Sequence, residues 1–250
     1  MTLRRVAALV LPLVPVLGLA APEDFRVFTD EISDRGEYGA EFQAAIARPR
    51  TRGPGSEGSR SQALAEFSYG LTGTVEVALQ LPASRDGGGT GNGWRSNGAN
   101  FELQYAAPHE SAKGAYWGLR AELGRGRAVG EAAIATAIEL RPIVGYRIGD
   151  WHAVFNATVR APISGHEREA KWEPSAKLAY GVAARTSVGV EYYVEAGESA
   201  GALDARRRAL ALLAVDTRIH GIGLNVGVGR GTGAGGDGSV LKAIVAFDMD

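Results

Sequence analysis

Between about Arg35 and Phe247 apolar and polar side chains alternate in short runs separated by turn residues, and beyond Ala20 no apolar run reaches the ~18 residues of a spanning helix. Alternation with period two gives each strand one apolar and one polar face. Such strands fit two architectures. A soluble sandwich or lipocalin-like barrel buries the apolar face at its centre, whereas a cylinder in lipid turns that face outward around a polar interior.

The pattern is explicit along the chain. Tyr38, Ala40, Phe42, Ala44 and Ile46 share a face opposite Glu41 and Gln43, and Phe67, Tyr69 and Leu71 oppose Glu66 and Ser68. After the turn at Thr72 and Gly73, Val75, Val77, Leu79 and Leu81 oppose Glu76 and Gln80; Phe101, Leu103 and Tyr105 then oppose Glu102 and Gln104. Trp117, Leu119, Ala121 and Leu123 face away from Tyr116, Arg120 and Glu122. The longest segment, Ala132 to Ile148, carries Glu131, Glu139, Arg141 and Arg147 on its polar side. Segments from Trp151 to Val159 and from Trp172 to Tyr180 follow, then four more ending at Phe247.

Twelve strands are predicted, an even number, as closure of an antiparallel up-and-down barrel requires when both ends stay on one side. Connection lengths agree. Joints after even-numbered strands are mostly tight (Thr72-Gly73, Gly149-Asp150, Ile219 to Gly221), and those after odd-numbered strands are long (Arg48 to Ser59, Pro82 to Ser96, Gly229 to Gly238). Short periplasmic turns and long outer loops are the habit of membrane barrels. The joint from Ala106 to Gly114 is long for the periplasmic side. Tyr38, Tyr105, Tyr146, Trp151, Trp172 and Tyr180 fall near strand ends on the apolar face, where interfacial aromatics collect. The expected fold is therefore all-β, a transmembrane antiparallel up-and-down barrel over residues 35–250.

The first residues read as an export signal. Arg4 and Arg5 precede an apolar stretch from Val6 to Leu19, and Gly18-Leu19-Ala20 supplies the small residues for cleavage after Ala20. The stretch is shorter than the ~20 residues of a spanning helix and is interrupted by Pro12 and Pro15. Residues 21–34 are then expected as a periplasmic lead-in, and the bacterial outer membrane as the destination. Outer-membrane lipid, lipopolysaccharide, the barrel-insertion machinery and a small solute are the expected partners. A net charge of −1 gives no nucleic-acid footprint. The chain has no cysteine, so disulfides and thiolate metal sites are excluded. Its 35 glycines, about twice the usual ~7% share, suit turns and crowded interior faces.

The polar faces place Glu41, Glu66, Glu76, Glu102, Arg120, Glu122, Glu139, Arg141 and Lys177 on the bore, with Arg147, Arg160 and Lys171 nearby. Acids dominate the first half of the barrel and bases the strands from the fifth to the eighth. Two readings follow: a transverse field across a narrow aqueous channel, or an interior cross-linked by ion pairs that conducts little. Arg206, Arg207 and Arg208, with Arg48, Arg50 and Arg52, mark a basic outer rim. That rim is either a site for lipopolysaccharide phosphates or a solvated loop.

One arrangement has catalytic chemistry. His109-Glu110-Ser111 has the His-x-Ser spacing that resembles the outer-membrane phospholipase A and lipid A deacylase families, where a base lies within reach of a serine hydroxyl. Here it follows Pro108 in a joint, with no assignable orienting partner. The glycine-rich run from Gly231 to Gly236 is followed by a strand, so no helix N-terminus awaits a phosphate. His109, His152, His166 and His220 lack ligand spacing. No cofactor, no metal and no catalytic role are expected.

Phe28-Thr29-Asp30-Glu31 followed by Arg35-Gly36-Glu37-Tyr38-Gly39-Ala40-Glu41-Phe42 resembles the opening of proteobacterial outer-membrane barrels grouped with the transporters of phenol-degradation pathways. The resemblance implies an outer-membrane channel, for hydrophobic or aromatic solutes, and carries over no functional residue. The end departs from the common assembly signal, since Asp248, Met249 and Asp250 trail Phe247. The reading as a whole is a passive channel or solute-uptake barrel with a charged lumen. A plugged structural or surface-interaction barrel and a lipid acyl hydrolase are the alternatives.

Overall fold

The computed structural model describes residues 25–48, 58–87, 93–109, 113–127, 134–165, 170–195, 208–232 and 238–249. Strands β1 (Tyr38–Arg48), β2 (Arg60–Thr72) and β3 (Val75–Asp86) form an antiparallel meander. It continues through the short β4 (Arg95–Ser96), β5 (Gly98–Ala106), β6 (Gly114–Gly126) and β7 (Ala135–Ile148). The second half comprises β8 (Trp151–Asn156), β9 (Val159–Pro162), β10 (Lys171–Trp172), β11 (Ser175–Ala183), β12 (Thr186–Glu195), β13 (Arg208–Ile219), β14 (Ile222–Gly231) and β15 (Ser239–Met249). The last strand pairs back onto the first along its whole length, from Tyr38 opposite Met249 to Arg48 opposite Ser239. Closure leaves no edge at that seam, and the result is a twelve-strand antiparallel barrel.

The count matches the alternation pattern once three broken strands are recognised: β4 and β5 form one strand interrupted at Asn97, and two more are split in the second half. Trp151 to Pro162 is split into β8 and β9 at Ala157 and Thr158, and Lys171 to Ala183 into β10 and β11 at Glu173 and Pro174. Proline explains both breaks. Pro142 of β7 lies beside the first, accepting from Ala157 N–H at 3.0 Å, and Pro174 forms the second. A proline cannot donate to the ladder, so the neighbouring strand bends or bulges there. The strand predicted from Ala132 begins at Ala135, and residues 131–133 lie outside the described ones.

Tight turns link β7 to β8 through Gly149 and Asp150, and β13 to β14 through His220 and Gly221. The second has φ of 49° at His220 and 85° at Gly221, the pair of positive values a two-residue hairpin of matching twist requires.

The side-chain distribution is inverted relative to a soluble protein. Trp117 (55% exposed), Phe101 (54%), Val144 and Leu213 point outward, as do the girdle residues Tyr38, Tyr146, Trp151 and Trp172. Glu41, Glu66, Glu76, Glu102, Arg120, Glu139 and Arg141 are buried inside. Exposed apolar side chains on almost every strand exceed any patch a soluble monomer carries and form the belt that faces hydrocarbon. Gly145 on the inner face of β7 makes room for the Tyr116 ring, which a Cβ there would overlap.

Candidate functional site

The inner wall from β1 to β8 is a lattice of paired charges. Cross-strand register sets Glu41 opposite Glu66, Glu102 opposite Glu122, and Arg120 opposite Arg141, so like charges face each other along the ladder. Like pairs repel in a low-dielectric interior, and the relief comes from oppositely charged neighbours. Arg120 donates to Glu66 at 3.0 Å and to Gln104 at 3.1 Å and pairs with Glu102, while Arg141 donates to Glu139 at 2.6 Å. Gln80 adds a 2.8 Å hydrogen bond to Glu66.

Into this wall packs residues 25–34, which the sequence reading set apart as a lead-in before the barrel. They run inside the bore, descending from Phe25, near the middle, to Ser33 at the end with the tight turns. They join no sheet; their first backbone pairing is the Arg35 bridge to Gly70. Wall side chains supply the hydrogen bonds and ion pairs that hold it. Asn156 holds Phe28 at two points, accepting from its N–H at 2.8 Å and donating to its carbonyl at 2.9 Å, as a neighbouring strand would. Gln104 donates to the carbonyls of Thr29 and Glu31, and Glu76 accepts from Ser33 N–H at 2.6 Å. Arg26 reaches Glu41 at 2.8 Å and Glu66 at 3.7 Å.

Two anchors stand out. The Phe28 ring, 1% exposed, lies under the guanidinium groups of Arg120 (3.9 Å), Arg141 (4.2 Å) and Arg26 (4.9 Å). Cation–π attraction is worth up to about 2 kcal/mol per contact when water is excluded. Asp30 receives both Arg147 terminal nitrogens, at 2.5 and 2.9 Å, and lies 2.7 Å from His109 Nε2. Burial by itself raises the Asp30 pKa, but the Arg147 hydrogen bonds and charge outweigh it and hold the carboxyl below its ordinary 3.8. Asp30 is an anion at neutral pH.

The opposite wall, from β11 to β15, carries a separate network. Lys242 and Glu191, each 1% exposed, are 2.5 Å apart, and Lys242 also donates to the Phe25 carbonyl at 2.6 Å. The Tyr193 hydroxyl donates to the same carbonyl at 2.8 Å. Lys177 pairs with Asp216 at 2.7 Å, and Asn225 bridges Asp216 and Glu191. Beyond Phe25, towards the long loops, Ala45, Ala47, Tyr193, Leu210, Leu212 and Val240 form a buried apolar layer. Below that layer a cavity of about 550 Å³ lies between the segment and this wall, reaching the tight turns at Gly149-Asp150 and Ala184-Arg185.

Of the nine lumen candidates, Glu41, Glu66, Glu76, Glu102, Arg120, Glu139 and Arg141 are buried on the inner face, and Glu122 and Lys177 are partly buried there. The structure joins Glu66, Glu102 and Arg120 in one cluster, with Glu41 linked to it through Arg26, and sets Lys177 apart on the far wall. Arg206 and Arg207, the side chain of Arg208, Arg50, Arg52, Ser111 and the signal residues 1–20 lie outside the described residues. His109 Nε2 lies 2.7 Å from Asp30, and Nδ1 is 3.0 Å from the Ala107 carbonyl. Sequence reading sets Asn156 on the inner polar face without a role, and misses Glu191, Asp216 and Lys242. The unbroken apolar run from Ala209 to Val215 on β13 was a usable sign of the inner layer, since it leaves no polar face to meet water.

A closed barrel, apolar outside and charged within, is the transmembrane barrel of the bacterial outer membrane as a class. No family model matches the chain, and no curated protein sequence matches it. Among solved structures, it is similar to the COG4313 outer membrane channel from Pseudomonas putida F1, with 12% identity and a TM-score of 0.63 over 88% of this chain and 97% of that one. It is also similar to the KdgM porin (10%, TM-score 0.52, 85% and 99%) and the NanC porin (8%, 0.51, 84% and 99%). At these identities the likeness concerns the fold.

Proposed function

We propose that this protein is a passive outer-membrane channel or solute-uptake barrel with a charged lumen, in which residues 25–34 occupy the bore and control its opening. One observation carries the reading: the segment that occupies the bore joins no strand ladder before Arg35 and leaves a cavity of about 550 Å³ beside it. A structural plug has no need of such a cavity, and a segment outside the ladder can leave without unzipping a strand. The fold shared with the channel from P. putida F1 and with the two porins supports it. No catalytic step is assigned: His109 lies beside Asp30 and the Ala107 carbonyl, and the Ser111 of the His-x-Ser spacing lies outside the described residues.

Reversal potentials under a salt gradient test the reading. Glu66→Gln and Glu102→Gln each remove a negative charge from around Arg120, so the current is expected to shift towards anion preference. Unchanged selectivity in both would remove these residues from the conduction path. A second reading, the plugged barrel of structural or surface-interaction type, is favoured by the paired charges that fill the β1 to β8 side. It requires that the barrel stay closed even without residues 25–34.

A further inference from the structure

We propose that Arg147 is a binding site for small carboxylate solutes and that Asp30 occupies it as an internal stand-in, so that a carboxylate entering the cavity releases the bore segment. This rests on the channel reading and names the chemistry that opens it.

The geometry of Arg147 is that of a carboxylate receptor. Its two terminal nitrogens meet the two Asp30 oxygens one to one, the fork geometry in which guanidinium recognises carboxylate better than any ammonium does. The fork is held in place independently of Asp30. The Arg147 guanidinium lies 4.5 Å from the centre of the Tyr116 ring, and the Tyr116 hydroxyl is fixed in turn by a 2.8 Å hydrogen bond with His152 Nε2. A receptor braced by a ring and a second strand keeps its shape when its ligand leaves.

Arg147 also faces open space. It lines the 550 Å³ cavity together with His152, Lys177 and the bore residues Thr29 and Glu31. A solute entering at the tight turns therefore meets the guanidinium that holds Asp30 without crossing the apolar layer above Phe25. Of the described cations on this cavity, Lys177, Lys242 and Arg218 pair with the wall carboxylates Asp216, Glu191 and Asp248, Arg26 belongs to the segment itself, and Arg147 is the wall cation whose carboxylate partner, Asp30, lies on the segment that must move.

Competition sets the scale. Asp30 is tethered to the barrel through Arg35, so it presents a carboxylate to Arg147 at an effective concentration in the ~mM range. A free carboxylate must match that, which places the response at millimolar solute on the side of the tight turns.

The absence of cysteine permits a direct readout. Val27 is buried in the bore segment, 6% exposed, and Val27→Cys gives a single thiol whose maleimide labelling reports release whether or not current flows. In the detergent-solubilised full chain, succinate at tens of millimolar is expected to raise the labelling rate about tenfold over chloride at equal ionic strength. Arg147→Gln and Asp30→Asn, each combined with Val27→Cys, are expected to label fast without succinate and to gain nothing from it; a retained heat-dependent gel shift shows that each is folded. Equal acceleration by succinate and chloride, a succinate response that survives Arg147→Gln, or slow labelling in both folded variants would overturn the proposal. A barrel lacking residues 25–34 that carries no current would overturn the channel reading instead, and the labelling result would stand apart from it.

Discussion

Deletion of residues 25–34 raises the unitary conductance of the barrel in a planar bilayer by roughly an order of magnitude, while the folded fraction in detergent changes little. The two halves of this expectation have separate causes. Conductance rises because the deleted residues take with them Phe28, Arg26 and Asp30, which bridge the β1 to β8 wall, and Phe25, which reaches across to Lys242 and Tyr193. Stability is kept because the segment contributes no strand, and closure of the sheet lies wholly in the pairing of β1 with β2 and β15. The groups it leaves behind, Asn156, Gln104, Glu76 and Arg147, then face a water-filled bore, and hydration replaces most of what the segment gave them. A closed trace from a well-folded deletion variant would favour the plugged structural barrel.

Glu191→Gln is expected to cost about 3–5 kcal/mol of barrel stability, the largest effect of any single substitution considered, because it leaves the enclosed ammonium of Lys242 without the carboxylate that pairs with it. Lys242 and its partner are almost wholly enclosed, and the remaining neighbours of the ammonium are the Phe25 carbonyl, the Tyr193 hydroxyl at 3.2 Å and the Tyr193 ring. Those can accept hydrogen bonds but cannot neutralise the charge. Replacing both partners, as in Glu191→Leu with Lys242→Met, removes the charge altogether and is expected to recover most of the loss, since a buried ion pair is rarely better than a well-packed apolar one. Urea unfolding in detergent, followed by loss of the heat-dependent gel shift, measures both. A single variant as stable as the parent would mean that water reaches Lys242.

The architecture was legible because it is written in a local code. Alternation such as that of Phe42, Ala44 and Ile46 against Glu41 and Gln43 fixes which way each side chain points, and tight turns such as Gly149-Asp150 fix the order of strands. Neither signal depends on distant residues. The breaks at Ala157 and Pro174 were harder to see, because a proline acts on the neighbouring strand as much as on its own, and Pro142 sits on β7 while the break it accompanies lies between β8 and β9.

The contents of the bore were legible only in part. The charges on the polar faces could be assigned, yet nothing local distinguishes a lumen that conducts from one that is filled. What fills it, Phe25 to Asp34, has no periodicity, because an irregular segment contacts the wall through whichever side chains come near. Its docking joins residues as far apart in the chain as Phe25 and Lys242. A short lead with Phe25, Val27 and Phe28 in close succession was the available hint: apolar side chains with no strand to belong to need burial somewhere.

Phe28 sits inside the bore between Arg120 and Arg141. A photo-reactive phenylalanine analogue placed at position 28, irradiated in the membrane and mapped by mass spectrometry, tests this placement most directly. Intramolecular cross-links to peptides carrying Arg120 or Arg141 are expected. Cross-links to other proteins, or to residues on the outer face of the barrel, would contradict it.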